Sequence, residues 1–358
     1  MKLLQAMLVG VGPFEKLALP FADEAGAARA MTVIHGAAGV GKSSVLAALA
    51  STRPGHCVVQ PARWEQAEHT LQPFAACDWA LGQDEPARPH ALSLVSPNAR
   101  LSMNDEQEAL RRREQALFDR LASDGGFAFL SIPSTRWFSK QPLNISAPSR
   151  TVARYDVRAS AAADEATRSD LARETKQALA YGAISSALAA SRLASERRFD
   201  LLGAALQSAL EALLAPVGCA YRGVDPFTFE PTFSVPGLGR EVPFDALPTR
   251  ARHLAAFAAL SVRTLWAAYP DRDPRDSEGV IAIDEVDLHQ DGHVQQQLLP
   301  AFREALPGAQ WILTTTSSLL AGSADARAVL ALRSLPDGAG EGDRERVRVF
   351  AGDQARTH

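Results

Sequence analysis

Cysteine is scarce: only Cys57, Cys77 and Cys219 occur in 358 residues. Their odd number and wide spacing exclude a disulfide framework and a cysteine zinc site, and fit reduced thiols in a cytoplasmic protein. Long apolar runs are scarce too. The best, Leu254–Val262, lies between Arg252 and Arg263 and falls well short of the roughly 18 residues a membrane span needs. The start, Met1-Lys-Leu-Leu-Gln, has no signal h-region or cleavage site, so a cytoplasmic location without a membrane is expected. Excess positive charge is missing as well. The formal net charge is −4 and the pI about 6.1, so nucleic acid is a possible partner only through a local patch. Lysine is nearly absent, at positions 2, 16, 42, 140 and 176 among 37 basic residues. That arginine and alanine bias marks GC-rich coding, and it makes a lysine-bearing motif less of an accident. Internal repeats are not found. What remains is ordinary: 46% hydrophobic and 22% charged residues, enough for one large domain or two.

Short apolar runs broken by turns over residues 1–35 predict two or three strands, the last being Met31-Thr-Val-Ile-His35. A helix is expected over Ser43–Ser51, closed by Arg53-Pro54-Gly55. Strands are predicted at His56–Pro61, Ala75–Leu81, Ala91–Val95 and Phe127–Ile132. Asp105–Ala122 reads as an amphipathic helix with Leu110, Leu117 and Leu121 on one face. Residues 163–214 are Ala-, Leu-, Arg- and Glu-rich and predict two helices meeting near Leu193–Ser195, followed by loops and short strands over 215–246. Beyond them come a helix at Thr249–Ala268, a strand at Gly279–Ile283, a helix at Val294–Ala305 and a strand at Gln310–Thr315. Two strands close the chain, Ala328–Leu332 and Arg346–Phe350. Strands alternating with helices indicate an α/β core. The divisions expected are an α/β core part at 1–160, a helical lobe at 161–244 and a second core part at 245–358.

The sharpest chemical signal is Gly36-Ala37-Ala38-Gly39-Val40-Gly41-Lys42-Ser43, followed by Ser44. It satisfies the P-loop pattern, follows a strand and opens a helix. Small residues let the backbone curl with its N–H groups inward around phosphates, and the helix behind presents its positive end to them. Lys42 is suited to the β- and γ-phosphate oxygens and Ser43 to Mg²⁺, so ATP and Mg²⁺ are the expected cofactors. A second signal is Gly279-Val-Ile-Ala-Ile-Asp284-Glu285, an apolar strand ending in two acids, the Walker B arrangement. Asp284 is expected to hold the metal and Glu285 to act as general base on the attacking water.

Together with the strand hairpin ahead of the P-loop and the helical insertion, these motifs resemble the ABC-type ATPases of the RecF/SMC/OLD-like group. Ile283-Asp-Glu-Val-Asp-Leu-His289 is similar to that group's IDEIDLH run. Leu306-Pro-Gly-Ala-Gln-Trp-Ile-Leu-Thr-Thr-Thr-Ser-Ser318 is similar to its FPNxQFIVTTHSP strand, and Ser131-Ile-Pro-Ser-Thr-Arg136 to a core strand ending in Arg. The resemblance covers most of residues 1–160 and 245–335. It implies an α/β P-loop fold with two lobes, a mixed sheet and an inserted helical lobe. It also implies a nucleotide-driven dimerisation switch with itself or a related ATPase subunit, and a co-encoded effector in DNA repair or antiphage defence.

The sequence departs from that pattern at the places that should face a second subunit. Leu247-Pro-Thr-Arg-Ala-Arg252 stands where the signature loop LSxGxR is expected, and Thr316 stands where the histidine of the Thr-Thr-His-Ser run is expected. Asp291-Gly292 replaces a second His-Pro. Pro248 offers neither N–H nor hydroxyl. Arg250 and Arg252 are the candidate substitute fingers on a γ-phosphate across a dimer, because arginine suits transferring phosphate; against that stands the reading of both as solvating a helix start. Gln60 and Gln72 are candidates for the Q-loop residue. His289 and His293 have the spacing of two zinc ligands but lack a third. Arg111-Arg-Arg113 and Arg197-Arg198 read as solvated helix faces or as a nucleic-acid contact. About 40 residues follow Thr316, fewer than the roughly 100 of a further nuclease domain. A non-hydrolysing ATP-binding scaffold and a transporter nucleotide-binding subunit are the alternative functions.

Overall fold

The computed structural model describes residues 1–52, 73–82, 85–88, 90–96, 99, 103–147, 168–190, 198–335 and 347–355. The predicted strand at 56–61, the closing residues 53–55, the helix junction at 193–195, and Cys57, Gln60, Gln72 and Arg197 lie outside them.

Two sheets form the frame. The first is antiparallel, ordered β2-β1-β4-β5, from β1 Lys2–Val11, β2 Phe14–Pro20, β4 Phe74–Ala80 and β5 Leu92–Val95. The second runs β15-β14-β3-β13-β12-β6, from β3 Met31–Gly36, β6 Phe129–Ile132, β12 Val280–Ile283, β13 Gln310–Thr315, β14 Val329–Ser334 and β15 Val347–Ala351. The five strands from β14 to β6 are parallel, and β15 closes the edge beside β14 antiparallel. The central strands read as unbroken apolar runs because both faces are covered. On β12, Val280 and Ala282 pack toward the antiparallel sheet while Ile281 and Ile283 pack toward the helices, with β13 alternating in the same way at Ile312 against Trp311 and Leu313.

Between the sheets sit helix α1 (Lys42–Ala50) and the inner face of α2 (Asp105–Asp124). Asn104 caps α2 in a reciprocal bond with Gln107. The expected face of α2 turns inward at Leu121, which is buried, and at Leu117, which packs half-buried on the core, but not at Leu110, which is 56% exposed; Glu114, Phe118 and Ala122 complete the buried face. Phe118 wins because it enters an aromatic cluster with Trp79, Phe127 and Phe129, and Glu114 is held inward by Arg88 and the Ser93 amide.

Against the other face lie α3 (Ala172–Ala190), α4 (Phe199–Leu214), α5 (Thr249–Ala268) and α6 (Gly292–Ala305). Phe199–Val217 is long and apolar enough to cross a membrane by composition, a stretch that counting unbroken apolar runs passes over. It nevertheless packs as a core helix, with Leu202, Leu206, Leu210 and Leu213 at most 2% exposed. A three-stranded sheet, β9 Ala220–Val224, β10 Pro231–Ser234 and β11 Glu241–Pro243, and a parallel pair, β7 Thr135–Trp137 with β8 Arg168–Asp170, complete this side. Lys176 of α3 is 2% exposed and ties the parts together through Glu230 (3.0 Å), Asp245 (3.1 Å) and the Gln141 carbonyl. Cys77 and Cys219 are free and buried, and burial pushes the Cys77 thiol up to about 12.

Candidate functional site

The carboxyl ends of β3, β6, β12 and β13 converge on one edge of the parallel sheet, the edge where such sheets place ligands. β13 lies between β3 and β12, so the P-loop and the acidic pair are separated by one strand.

The P-loop follows β3. Gly36 passes so close to β14 that a Cβ there would lie 2.5 Å from the Leu332 carbonyl oxygen. Gly41 has φ 95°, and a Cβ on it would strike Pro13 and Phe14 at the β1–β2 turn. Ala37, Ala38 and Gly39 form an exposed crest, Val40 is buried beneath it, and Ser44 sits against Gly12. Helix α1 then starts without a side-chain cap and without an acid in its first turn, which leaves its amino-terminal N–H groups and positive end open to an anion. Lys42 Nζ donates to the carbonyls of Gly36 and Ala37, each at 2.8 Å. Burial lowers its pKa, against the upward pull of Glu285, Asp284 and Asp287.

The two motifs meet directly. Ser43 Oγ donates to Asp284 Oδ2 at 2.7 Å across 241 positions of sequence. Thr314, fully buried on β13, donates to Asp284 Oδ1 at 2.6 Å and accepts from the Glu285 amide at 2.8 Å. Glu285 has φ 46°, a left-handed conformation that costs a non-glycine residue roughly 1 kcal/mol. Its carbonyl accepts from Arg136 Nη2 (2.8 Å), and the Asp284 carbonyl accepts from Arg136 Nη1 (2.6 Å). Arg136 is 7% exposed, and burial brings it down to about 10 despite the three nearby acids. His35 lies on the Thr316 backbone carbonyl, and burial followed by Lys42 lowers its pKa.

The remaining expected residues lie at the rim. Thr316 is exposed at the end of β13. Arg250 and Arg252 start α5, where Pro248 is the cap residue and supplies no side-chain bond. Arg250 Nη1 pairs with Asp291 at 3.0 Å, both groups exposed, and the Arg252 guanidinium lies 5.6 Å from the Phe138 ring centroid. The His289 ring lies 4.9 Å from that of His253, tilted by 35°, and the His293 ring bonds Gln297. Arg112 pairs with Glu108 one helical turn away and Arg198 with Asp200, as on solvated faces.

Sequence reasoning named no role for Thr314, His35, His253 or Asp287. Their signal was there in part: Thr314-Thr315-Thr316 is a polar run ending an otherwise apolar strand, and His253 is the first of four polar residues that face inward on a largely apolar helix, with Ser261, Arg263 and Thr264.

The open start of α1, the inward-curled small-residue loop and Lys42 form a set of donors that suits an anion such as a polyphosphate. Ser43 and Asp284 are hard oxygen donors already within bonding distance of each other, which suits Mg²⁺.

No family model matches the chain, and no curated protein matches it. Solved structures do. The crystal structure of the SmcHead bound to the C-winged helix domain of ScpA aligns over 98% of each chain, with TM-score 0.55 and 14% identity. The Smc head domain with an extended coiled coil, bound to the C-terminal domain of ScpA derived from Pyrococcus furiosus, aligns over 98% of this chain and 96% of that one, with TM-score 0.52 and 15% identity. The fold is that of an SMC head, an ABC-type P-loop ATPase fold. In this head fold the Ser43–Asp284 pair and the turn at Glu285 lie on the sheet edge just described.

Proposed function

We propose that the protein binds ATP with Mg²⁺ and hydrolyses it, and that the bound nucleotide drives association with a second head. The observation that carries this reading is the Ser43–Asp284 hydrogen bond, which unites the P-loop and the acidic strand end in one donor set. Lys42 exchanges its bonds to the Gly36 and Ala37 carbonyls for β- and γ-phosphate oxygens. The P-loop amides and the start of α1 hold the phosphates. Ser43 and Asp284 would hold Mg²⁺, which when bound neutralises phosphate charge. Glu285 orients a water toward the γ-phosphorus and accepts its proton as the P–O bond to ADP breaks, giving ADP and phosphate.

Residues 1–160 and 245–358 form the nucleotide-binding core and 161–244 the helical lobe in this reading. The second head is another copy or a related subunit, and a partner protein carries the output, as ScpA domains dock on the solved heads. DNA repair or antiphage defence is the setting that the resemblance suggests for such an effector. Turnover is slow without that partner, because Arg250 is tied to Asp291 within its own chain and Thr316 occupies the switch-histidine position.

ATP turnover of the wild type and of Glu285→Gln, with light scattering in the presence and absence of ATP and Mg²⁺, tests the proposal. Hydrolysis lost in the variant and ATP-dependent growth in mass support it. Tight binding without turnover in any condition supports a regulatory scaffold, and no binding at millimolar nucleotide removes both.

A further inference from the structure

Among the described residues Arg136 makes four hydrogen bonds, three of them to backbone carbonyls: Pro133 (2.9 Å), Asp284 (2.6 Å) and Glu285 (2.8 Å). The fourth, from Nε, goes to His253 Nδ1 at 2.9 Å. His253 belongs to the first turns of α5 and is 1% exposed. Its ring is held edge-on by Phe138 (4.9 Å between centroids, 88°) and covered by His289 (4.9 Å, 35°). An imidazole that accepts at Nδ1 carries its proton on Nε2, so the contact with Arg136 fixes both tautomer and ring position. The groups facing His253 are cationic or aromatic, and burial followed by Arg136 depresses it to about 3.

The turn after β12 touches the start of α5 at two further points. Gln290 Nε2 donates to the Arg250 carbonyl at 3.2 Å, and Asp291 pairs with Arg250. Glu285 is therefore pinned from both sides: Thr314 holds its amide, and Arg136, held in turn by His253, holds its carbonyl.

We propose that His253 is a positioning residue for Glu285: its Nδ1 lone pair sets the Arg136 fork that keeps the Glu285 backbone left-handed, and so ties the first turn of α5 to the acidic turn. The consequence for catalysis rests on the function proposed above; the structural link does not.

The test compares His253→Asn, whose side-chain oxygen can replace Nδ1 as acceptor, with His253→Leu, which has none. In nucleotide-free protein, hydrogen exchange at the amides of residues 285–287 rises about tenfold in the Leu variant and stays near wild type in the Asn variant. With ATP and Mg²⁺, the Leu variant loses about 10- to 100-fold in kcat while its Kd for ATP changes less than threefold, and Asn restores kcat to within about threefold. Arg136→Lys, which keeps the charge but loses the fork, shows the same split between kcat and Kd, and decides the matter if the Leu variant does not fold. Equal exchange in all variants, an Asn variant as impaired as Leu, or wild-type turnover in Arg136→Lys overturns the proposal. If the wild type binds no nucleotide, the functional reading fails and the exchange comparison alone decides on His253.

Discussion

The two sides of the site are built differently. On the inner side, Lys42, Asp284, Thr314 and Arg136 are all less than 9% exposed, and the Asp284 carboxylate, the Glu285 amide and the carbonyls of both residues are held by Ser43, Thr314 and Arg136 from three other elements. On the outer side, Arg250 and Asp291 share one exposed pair, Thr316 faces solvent, and α5 begins without a side-chain cap. A buried group that loses its partner bears the full desolvation cost, whereas an exposed ion pair exchanges its partner for water at little cost. The inner side is thus fixed before any ligand arrives, and the outer side is free to be rearranged by one.

The sharpest way to break the contrast is on the inner side. Glu285→Gln keeps the shape of the turn and removes the proton acceptor, and turnover falls by about 10²–10⁴ with ATP affinity retained. Lys42→Ala instead loses ATP binding, measured by calorimetry, because the ammonium is the only side-chain cation the P-loop sequence places on the phosphates.

Thr314→Val comes next. It leaves the Glu285 amide and one oxygen of Asp284 without their bonds in a fully buried setting, and costs about 2 kcal/mol in a urea melt. Lys176→Met in the helical region serves as the reference. It removes the buried partner of Glu230 and Asp245, whose carboxylates keep contact with solvent, with a loss of about 1 kcal/mol, and leaves ATP affinity unchanged. Equal effects of both changes on ATP affinity would remove the distinction between site and scaffold.

What was legible in the sequence follows the same division. The strands β12 and β13, the helix α5 and the P-loop turn lie within a residue or so of where apolar runs and glycines put them, because burial on both faces of a parallel strand leaves a continuous apolar run. Spacing also announced Ser43 and Asp284 separately. The bonds that connect them did not show. Thr314 bridges Asp284 and Glu285 only because β13 is inserted between β3 and β12, an order that local pattern does not encode. One member of the expected inward face of α2, Leu110, was misplaced for a related reason. Leu110 and Phe118 are both apolar, and only the tertiary cluster around Trp79 decides that Phe118 is the one buried.

His253 gives an intermediate effect with a defined pH sense. Its folded-state pKa is depressed to about 3 from 6.5, so the unfolded chain takes up a proton between those values that the folded chain refuses. Stability from this group is present in full above about pH 6.5 and falls as the pH drops toward 3, by up to about 1.4 kcal/mol per unit. Urea melts at pH 7 and 5.5 show a smaller difference for His253→Asn than for the wild type.

The smallest effect belongs to Arg250. Its pair with Asp291 is exposed on both sides, so Arg250→Ala changes stability by no more than about 0.5 kcal/mol. Turnover separates the two roles open to this arginine. As a finger on a phosphate across a dimer, its loss lowers the rate steeply at protein concentrations where ATP drives association and leaves the residual rate of the isolated head unchanged. As a group that only solvates the start of α5, its loss changes neither. Arg252→Ala is the internal comparison, because its guanidinium is spent on the Phe138 ring and Thr249 within the same chain. A rate that falls with Arg250 and not with Arg252 assigns the outer side a part in chemistry; a rate indifferent to both leaves that side to recognition of the partner alone.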